Sequence, residues 1–378
     1  ECSDQEPGTP IIYFLADQSV AELQREALAS QVLECTGEKH VNQRDLAVSW
    51  HAVLRHLSTW VRSHRPPEQS RVIIVLDEFQ YLVEQTPELP SIIQSWWDQE
   101  GIHQRLMVAL CGSHLSLMHS LAENGRPLFG RFDGGRIKIA PMRYDNVGRF
   151  YVDSHYSARD KLLLYGALGG TPKYHAMVNP AASVQSELAR LLIAPGGPLA
   201  DEGSYLLVSA QIRDAALYNT ILRAIARGKT RRNEIADAAG VTPQSLAHPL
   251  EALQQMEWVR REISFGDLQS RRAIYRIADP FIQFQQRFLP AVSSSAQFGY
   301  PEQIFQRWVA PHMDDYMGRW VFEDVCRQWL MRHSTDEGLE ILEASRYWSR
   351  DGSVEIDLVG RLSDGGYFFG ECKWSSQS

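Results

Sequence analysis

Three short apolar runs punctuate the N-terminal third of the chain: residues 11–16 (IIYFLA), 71–76 (RVIIVL) and 105–111 (RLMVALC). Each is rich in β-branched or aromatic side chains and bounded by polar ones, which predicts buried strands. Between them, residues 19–34 and 44–64 carry apolar positions at helical spacing, the second through Leu46, Trp50, Val53, Leu54, Leu57 and Val61. Strand–helix–strand alternation with near-continuous apolar strands predicts a parallel sheet covered on both faces.

Beyond residue 145 the pattern turns mostly helical, broken by Gly169-Gly170-Thr171-Pro172 and by the loop-like stretch 194–203 (APGGPLADEG). Residues 211–289 read as three helices followed by a β-ribbon through 259–264 and 273–277. After Ser293-Ser294-Ser295, residues 301–378 open with helices and close with strands at 354–361 and 367–374, joined by the turn signal Ser363-Asp364-Gly365-Gly366. Three domains are therefore expected: an α/β domain over 1–145, a helical and ribbon domain over 146–290, and a smaller α+β domain over 300–378.

Composition changes this picture little. The 378 residues are 44% hydrophobic and 22% charged, values of an ordinary globular protein with room for a core in each domain. Net charge is −8, which neither requires nor forbids nucleic acid. Cys2, Cys35, Cys111, Cys326 and Cys372 are odd in number and form no CxxC pair, arguing against a disulfide framework or zinc ribbon and for a reducing cytoplasm. No apolar run is long enough to span a membrane. The polar start, Glu-Cys-Ser-Asp-Gln-Glu without an initiator Met, reads as the beginning of a fragment.

Candidate chemistry is sharpest at Val72-Ile73-Ile74-Val75-Leu76-Asp77-Glu78-Phe79. A buried parallel strand ending in Asp-Glu puts two carboxylates where open α/β sheets bind ligands. In nucleotide hydrolysis Asp77 would hold Mg²⁺ through water and Glu78 would orient and deprotonate the attacking water. The plainer alternative is a solvated loop with two acids. The next strand ends in Cys111-Gly112-Ser113, placing a small polar side chain beside the pair. Arg131, in Arg126-Pro127-Leu128-Phe129-Gly130-Arg131-Phe132, is a candidate for stabilising phosphoryl charge, in cis or from a neighbouring copy in a homo-oligomer.

The order of these segments resembles the prokaryotic, archaeal-type AAA-related P-loop ATPases, which are STAND-like. The resemblance rests on LDEFQYL at 76–82, GSHLSLM at 112–118, PLFGRFDG at 127–134 and GGTPKY at 169–174. It implies ATP and Mg²⁺ as cofactors, Ser113 as the group that senses the γ-phosphate, and Gly170 and Pro172 near the nucleotide base. A tight turn between helices explains Gly-Gly-Thr-Pro equally well.

One part of that family's machinery is missing. No GxxxxGK[ST] string occurs in the chain; Gly228-Lys229-Thr230 lies in helical periodicity, and Arg223 stands where the upstream Gly should be. The expected ATPase domain thus lacks its first strand and its phosphate-binding loop. Without that loop's N–H groups and Lys, Asp77 and Glu78 have little to act on.

Two further modules suggest DNA. Residues 234–241 and the segment opening at Thr242 or Pro243 have helix–turn–helix spacing, with Gln244, Ser245 and His248 outward and the ribbon completing a winged helix. Residues 211–276 hold eleven basic against seven acidic residues, a local excess of +4 in a chain of −8, with Arg231, Arg232, Arg271 and Arg272 as expected phosphate contacts. A lid or protein-binding role fits the same module.

Near the C-terminus, Asp357 and then Glu371 and Lys373 across a predicted hairpin resemble the PD-(D/E)xK nuclease core, with Glu323 as a third carboxylate. Asp357 and Glu371 would bind metal there. This restriction-endonuclease-like domain also reads as truncated, since the chain stops four residues after Trp374. The combined expectation is an α/β parallel-sheet switch ATPase acting with a DNA-binding winged helix and a nuclease-like domain. The alternatives are a non-enzymatic DNA-binding regulator with a degenerate ATPase domain and a metal-dependent DNA nuclease.

Overall fold

The computed structural model describes residues 10–38, 40–64, 71–132, 134–209, 212, 214–267, 273–296, 299–336 and 338–375. The chain divides into two compact units, Glu1–Lys138 and Ile139–Ser378.

In the first unit, β1 (Ile11–Leu15), β2 (Val72–Asp77) and β3 (Leu106–Leu110) form an all-parallel sheet in that order. Alternation along the strands buries Ile12 and Phe14, Val72, Ile74 and Leu76, and Leu106, against the helices Ala21–Thr36, Trp50–His64 and Leu89–Gln99. Those helices contact one another and share one core, so they cover one face. The expectation of burial on both faces is therefore corrected. Tyr13, Leu15 and Met107 on the other face are 51%, 58% and 47% exposed. The long helix expected over 44–64 is also two helices, Gln43–Leu46 and Trp50–His64. The Asn42 side chain caps the first, and Ser49 Oγ accepts the Ala52 N–H to start the second.

The second unit is mainly helical, and one continuous core runs from Val147 to Val325. Helices beyond residue 300 share it with those before 290: the Tyr316 hydroxyl donates to Gly166 O at 2.7 Å. The ribbon is β4 (Val259–Glu262) paired antiparallel with β5 (Ile274–Ile277). A second antiparallel sheet joins β6 (Ile341–Trp348), β7 (Glu355–Leu362) and β8 (Tyr367–Gly370). Strand β6 was not foreseen. Its irregular register with β7 disrupts the two-residue period by which a strand is read. Strand β8 ends at Gly370, four residues before the expected end. Just beyond the ribbon's first strand, Ser264 Oγ both donates to Trp348 O and accepts the Trp348 N–H, each at 2.9 Å, while Phe265 N donates to Arg346 O at 2.8 Å. The ribbon is thus stitched to β6. Among the described residues no helix is long and apolar enough to cross a membrane.

Candidate functional site

The end of β2 is built from its neighbours. Residue pairing sets Leu15 beside Asp77 and Leu76 beside Leu110, and the chain ends are tied by Ala16 N to Asp77 O (3.0 Å) and Cys111 N to Leu76 O (2.9 Å). Glu78 then adopts a left-handed backbone (φ 52°, ψ 43°), a conformation that costs a non-glycine residue roughly 1–2 kcal/mol. Two contacts hold it. Glu78 N donates to Asp77 Oδ1 at 2.9 Å, and the next N–H, that of fully buried Phe79, donates to Cys111 O at 2.8 Å. The helix Phe79–Gln85 follows at once.

This turn separates the two carboxylates and gives each its own partners. Asp77 Oδ2 accepts the Tyr13 hydroxyl. That bond, before any other cause, holds the Tyr13 phenol above its ordinary range. Glu78 Oε2 accepts the Ser113 hydroxyl at 2.9 Å and the Gln80 carboxamide, and Gln80 Nε2 also stands 3.1 Å from Ser113 Oγ. The Cys111 thiol is pushed up first by burial and then by the Asp77 charge. The structure thus brings Asp77, Glu78 and Ser113 together. Sequence reasoning missed Tyr13 and Gln80. The signals were present: an aromatic on the adjacent parallel strand, two places before its end, and an amide in the first turn after the pair.

Asp77 is a single half-buried carboxylate at the carboxyl end of the sheet. That suits Mg²⁺, which keeps several waters and takes one or two carboxylates plus substrate phosphates. Among the described residues no three His, Cys, Asp or Glu side chains stand close enough to share a metal. The string Gly228-Lys229-Thr230 offers no phosphate cradle. It follows the helix Ala215–Ala226, and Thr230 O accepts the Tyr275 N–H of the ribbon at 2.8 Å.

Arg131 is engaged by neighbours in its own unit. Its guanidinium forks onto Asp98 at 2.8 and 2.7 Å and also donates to Pro127 O and Phe129 O. The Asp98 carboxyl is held below its ordinary range by these bonds.

In the second unit, Gly169 has φ 67° and ψ −150°, a region open in practice only to glycine. Gly170 lies against a neighbouring backbone: a Cβ there would come within 2.2 Å of Met142 O, and Met142 N donates to Gly170 O at 2.8 Å. Pro172 opens the helix Pro172–Ala176. Packing alone therefore accounts for Gly170 and Pro172. Buried His175 fixes this turn, its Nε2 bonding Gly169 O and its Nδ1 the Tyr151 hydroxyl, both at 2.8 Å. A carbonyl can only accept, so Nε2 carries the proton.

The helix expected to open at Thr242 or Pro243 begins instead at Ala247. Thr242 and Ser245 hold the intervening turn, with Ser245 N donating to Thr242 Oγ at 3.3 Å. Arg231 and Arg232 are exposed at the start of the helix Arg232–Ala239, with Arg232 Nε donating to Pro243 O at 2.7 Å. Arg271 and Arg272 lie outside the described residues. Two residues counted toward the basic excess are engaged inside the unit. Arg260 bonds Glu262 and Asp324, and Arg276 bonds Arg319 O at 2.8 Å and faces Glu323 at 3.5 Å.

In the C-terminal constellation Glu323 and Asp357 interact, but Glu371 and Lys373 lie in solvent. Glu371 and Lys373 are both 73% exposed and pair with each other at 3.4 Å. Asp357 Oδ2 instead accepts the Cys372 N–H at 2.8 Å. Glu323 lies between Arg276 and Arg346, the latter at 3.3 Å. Its carboxyl is raised to about 7, chiefly by burial, against the pull of Arg276 and with Asp357 adding to the rise.

Residues 13–178 match the family model of an ATPase domain predominantly from Archaea, and residues 286–378 match a family described as Archaea bacterial proteins of unknown function. An uncharacterized protein of Methanocaldococcus jannaschii is 26% identical over 310 residues, covering 80% of this chain and 67% of that protein. The fold is similar to that of a Walker-type ATPase of Pyrococcus abyssi, with a TM-score of 0.52 at 20% identity over 73% of this chain and 84% of that one. A looser overlap, TM-score 0.29 at 13% identity, links 76% of this chain with 80% of Cdc6p from Pyrobaculum aerophilum. The N-terminal part of the chain is an ATPase-like α/β domain with a parallel sheet.

Proposed function

We propose that the end of β2 is the hydrolytic half of an ATP site, and that the protein is a nucleotide-driven switch acting through its second unit. The supporting observation is the division of labour at Asp77 and Glu78: adjacent carboxylates, separated by a left-handed turn, with the Ser113 hydroxyl donated to Glu78 and the Tyr13 hydroxyl to Asp77. Bound ATP–Mg²⁺ would supply the phosphoryl group. Asp77 would hold the metal's waters, Glu78 would take the proton of the attacking water, and Ser113 would report the terminal phosphate. Arg131, paired with Asp98 in this structure, would stabilise the phosphoryl charge in cis or from a neighbouring copy. Exposed Arg231 and Arg232 are the proposed DNA contacts, by charge rather than sequence. A nuclease reading would need Glu371 and Lys373 to join Asp357, where Cys372 now stands, and we assign it no step.

The phosphates need a cradle that these 378 residues do not contain. Equilibrium binding of ATP–Mg²⁺ tests this, using the 378-residue chain and the product of the complete open reading frame. Binding is expected only where a GxxxxGK[ST] segment is present. Equally tight binding by the 378 residues alone would overturn the cradle argument, and a complete product that binds no ATP would overturn the ATP reading.

A further inference from the structure

We propose that Gln80 is a positioning residue that couples Ser113 to Glu78, so that water activation at Glu78 is conditional on a phosphate at Ser113. The inference rests on the ATP reading above. Gln80 is only 4% exposed, in the first turn of the helix Phe79–Gln85. A carboxylate only accepts hydrogen bonds, so the carboxamide atom facing Glu78 must be the nitrogen. One of its N–H groups is directed to Glu78 Oε2; Ser113 Oγ lies 3.1 Å from the same nitrogen and takes the other. With that lone pair engaged, the Ser113 hydroxyl proton is aimed at Glu78, at 2.9 Å.

The orientation has a cost. Gln80 Oε1 is left buried with no hydrogen-bond partner among the described residues. A side chain present for packing alone would be Leu or Met, with no amide to leave unmatched. Room for that oxygen depends on Gly112. A Cβ at residue 112 would come within 2.6 Å of Gln80 Oε1 and 2.8 Å of Met118 Sδ, although the Gly112 backbone has no positive φ that demands glycine. Glycine at 112, the amide at 80 and the hydroxyl at 113 thus form one fitted arrangement around Glu78. Ser113 has one proton to give. When it turns to a terminal phosphate, Glu78 loses that donor while Gln80 still fixes its position. The carboxylate then has a lone pair free for the proton of water.

The test is steady-state ATP hydrolysis by the product of the complete reading frame, normalised to bound nucleotide, for wild type, Gln80→Leu, Ser113→Ala and the double variant. Gln80→Leu should lower kcat about 10- to 100-fold with KM for ATP within about twofold, the size typical of lost orienting contacts. In the Ser113→Ala background it should add less than about threefold, because coupled residues are not additive. Gly112→Ala, pressing on the carboxamide from the opposite side, should also lower kcat alone. It decides the matter if Gln80→Leu fails to fold. Losses that multiply, a KM that moves with kcat, or an unchanged kcat would overturn the role of Gln80. Wild type that binds but never hydrolyses ATP would overturn the ATP reading and this inference with it. Active wild type, Glu78→Gln inactive and Gln80→Leu unaffected would remove Gln80 alone.

Discussion

Two carboxylate clusters looked alike in the sequence, and the structure treats them differently. At the end of β2, Asp77 and Glu78 keep separate donors and face Tyr13, Gln80 and Ser113 from neighbouring elements. Near the C-terminus, Glu371 extends into solvent with Lys373, Asp357 takes a backbone N–H, and Glu323 is held between arginines. The difference lies in what fixes position. At a parallel strand end, sheet order alone brings adjacent strand ends and their loops together. Across a hairpin, convergence depends on where pairing stops, and β8 stops one residue short of Glu371. In the second region Glu323 is tied to arginines of the unit while Glu371 and Lys373 pair in solvent, whereas Asp77 and Glu78 stay half-buried and accessible.

That contrast can be broken by substitution. Asp324 is 18% exposed and bonds both Arg260 and Arg327, so Asp324→Ala should destabilise the second unit by about 3 kcal/mol in denaturant unfolding. A neutral result would mean that these ion pairs hold nothing. The arginines divide the same way. Removing exposed Arg231 and Arg232 together should reduce the salt slope of log K for DNA by roughly 2. An unchanged slope would move the module to a lid or protein-binding role.

Glu323 gives a pH signature. Its carboxyl lies at about 7 in the folded chain against an ordinary 4.5, so between those values the folded state binds more protons than the unfolded. Its stabilising contribution is complete below the ordinary value and is lost as pH rises through about 7. Glu323→Gln should flatten the pH dependence of unfolding in that window; an unaltered profile would contradict the assignment. The smallest effect is expected from Glu371→Ala, within about 0.5 kcal/mol for an exposed residue and with no change in Mn²⁺ binding. Loss of Mn²⁺ binding would reinstate the metal site.

The strands of the first unit and the Asp77–Glu78 pair were legible because apolar runs and a strand-terminal acid pair are local signals. The cap at Ser49, which divides one predicted helix in two, is equally local but lies within a continuous helical period that conceals it. Strand β6 escaped because bulges scramble its alternation. The engagement of Arg131 by Asp98 and of Arg260 by Asp324 joins residues far apart in the chain, and no spacing rule announces such pairs. Gln80 was visible as part of LDEFQYL, but its function depends on Gly112 and Ser113 beyond another strand.

The central claim is that Glu78 acts on water while Asp77 acts on the metal. Its most direct test is ATP binding and turnover by Glu78→Gln in the product of the complete reading frame. Nucleotide affinity within about threefold of wild type is expected, with hydrolysis reduced by about 10²–10⁴, the span of a lost general base. Turnover unchanged in Glu78→Gln, or lost only in proportion to binding, would contradict it.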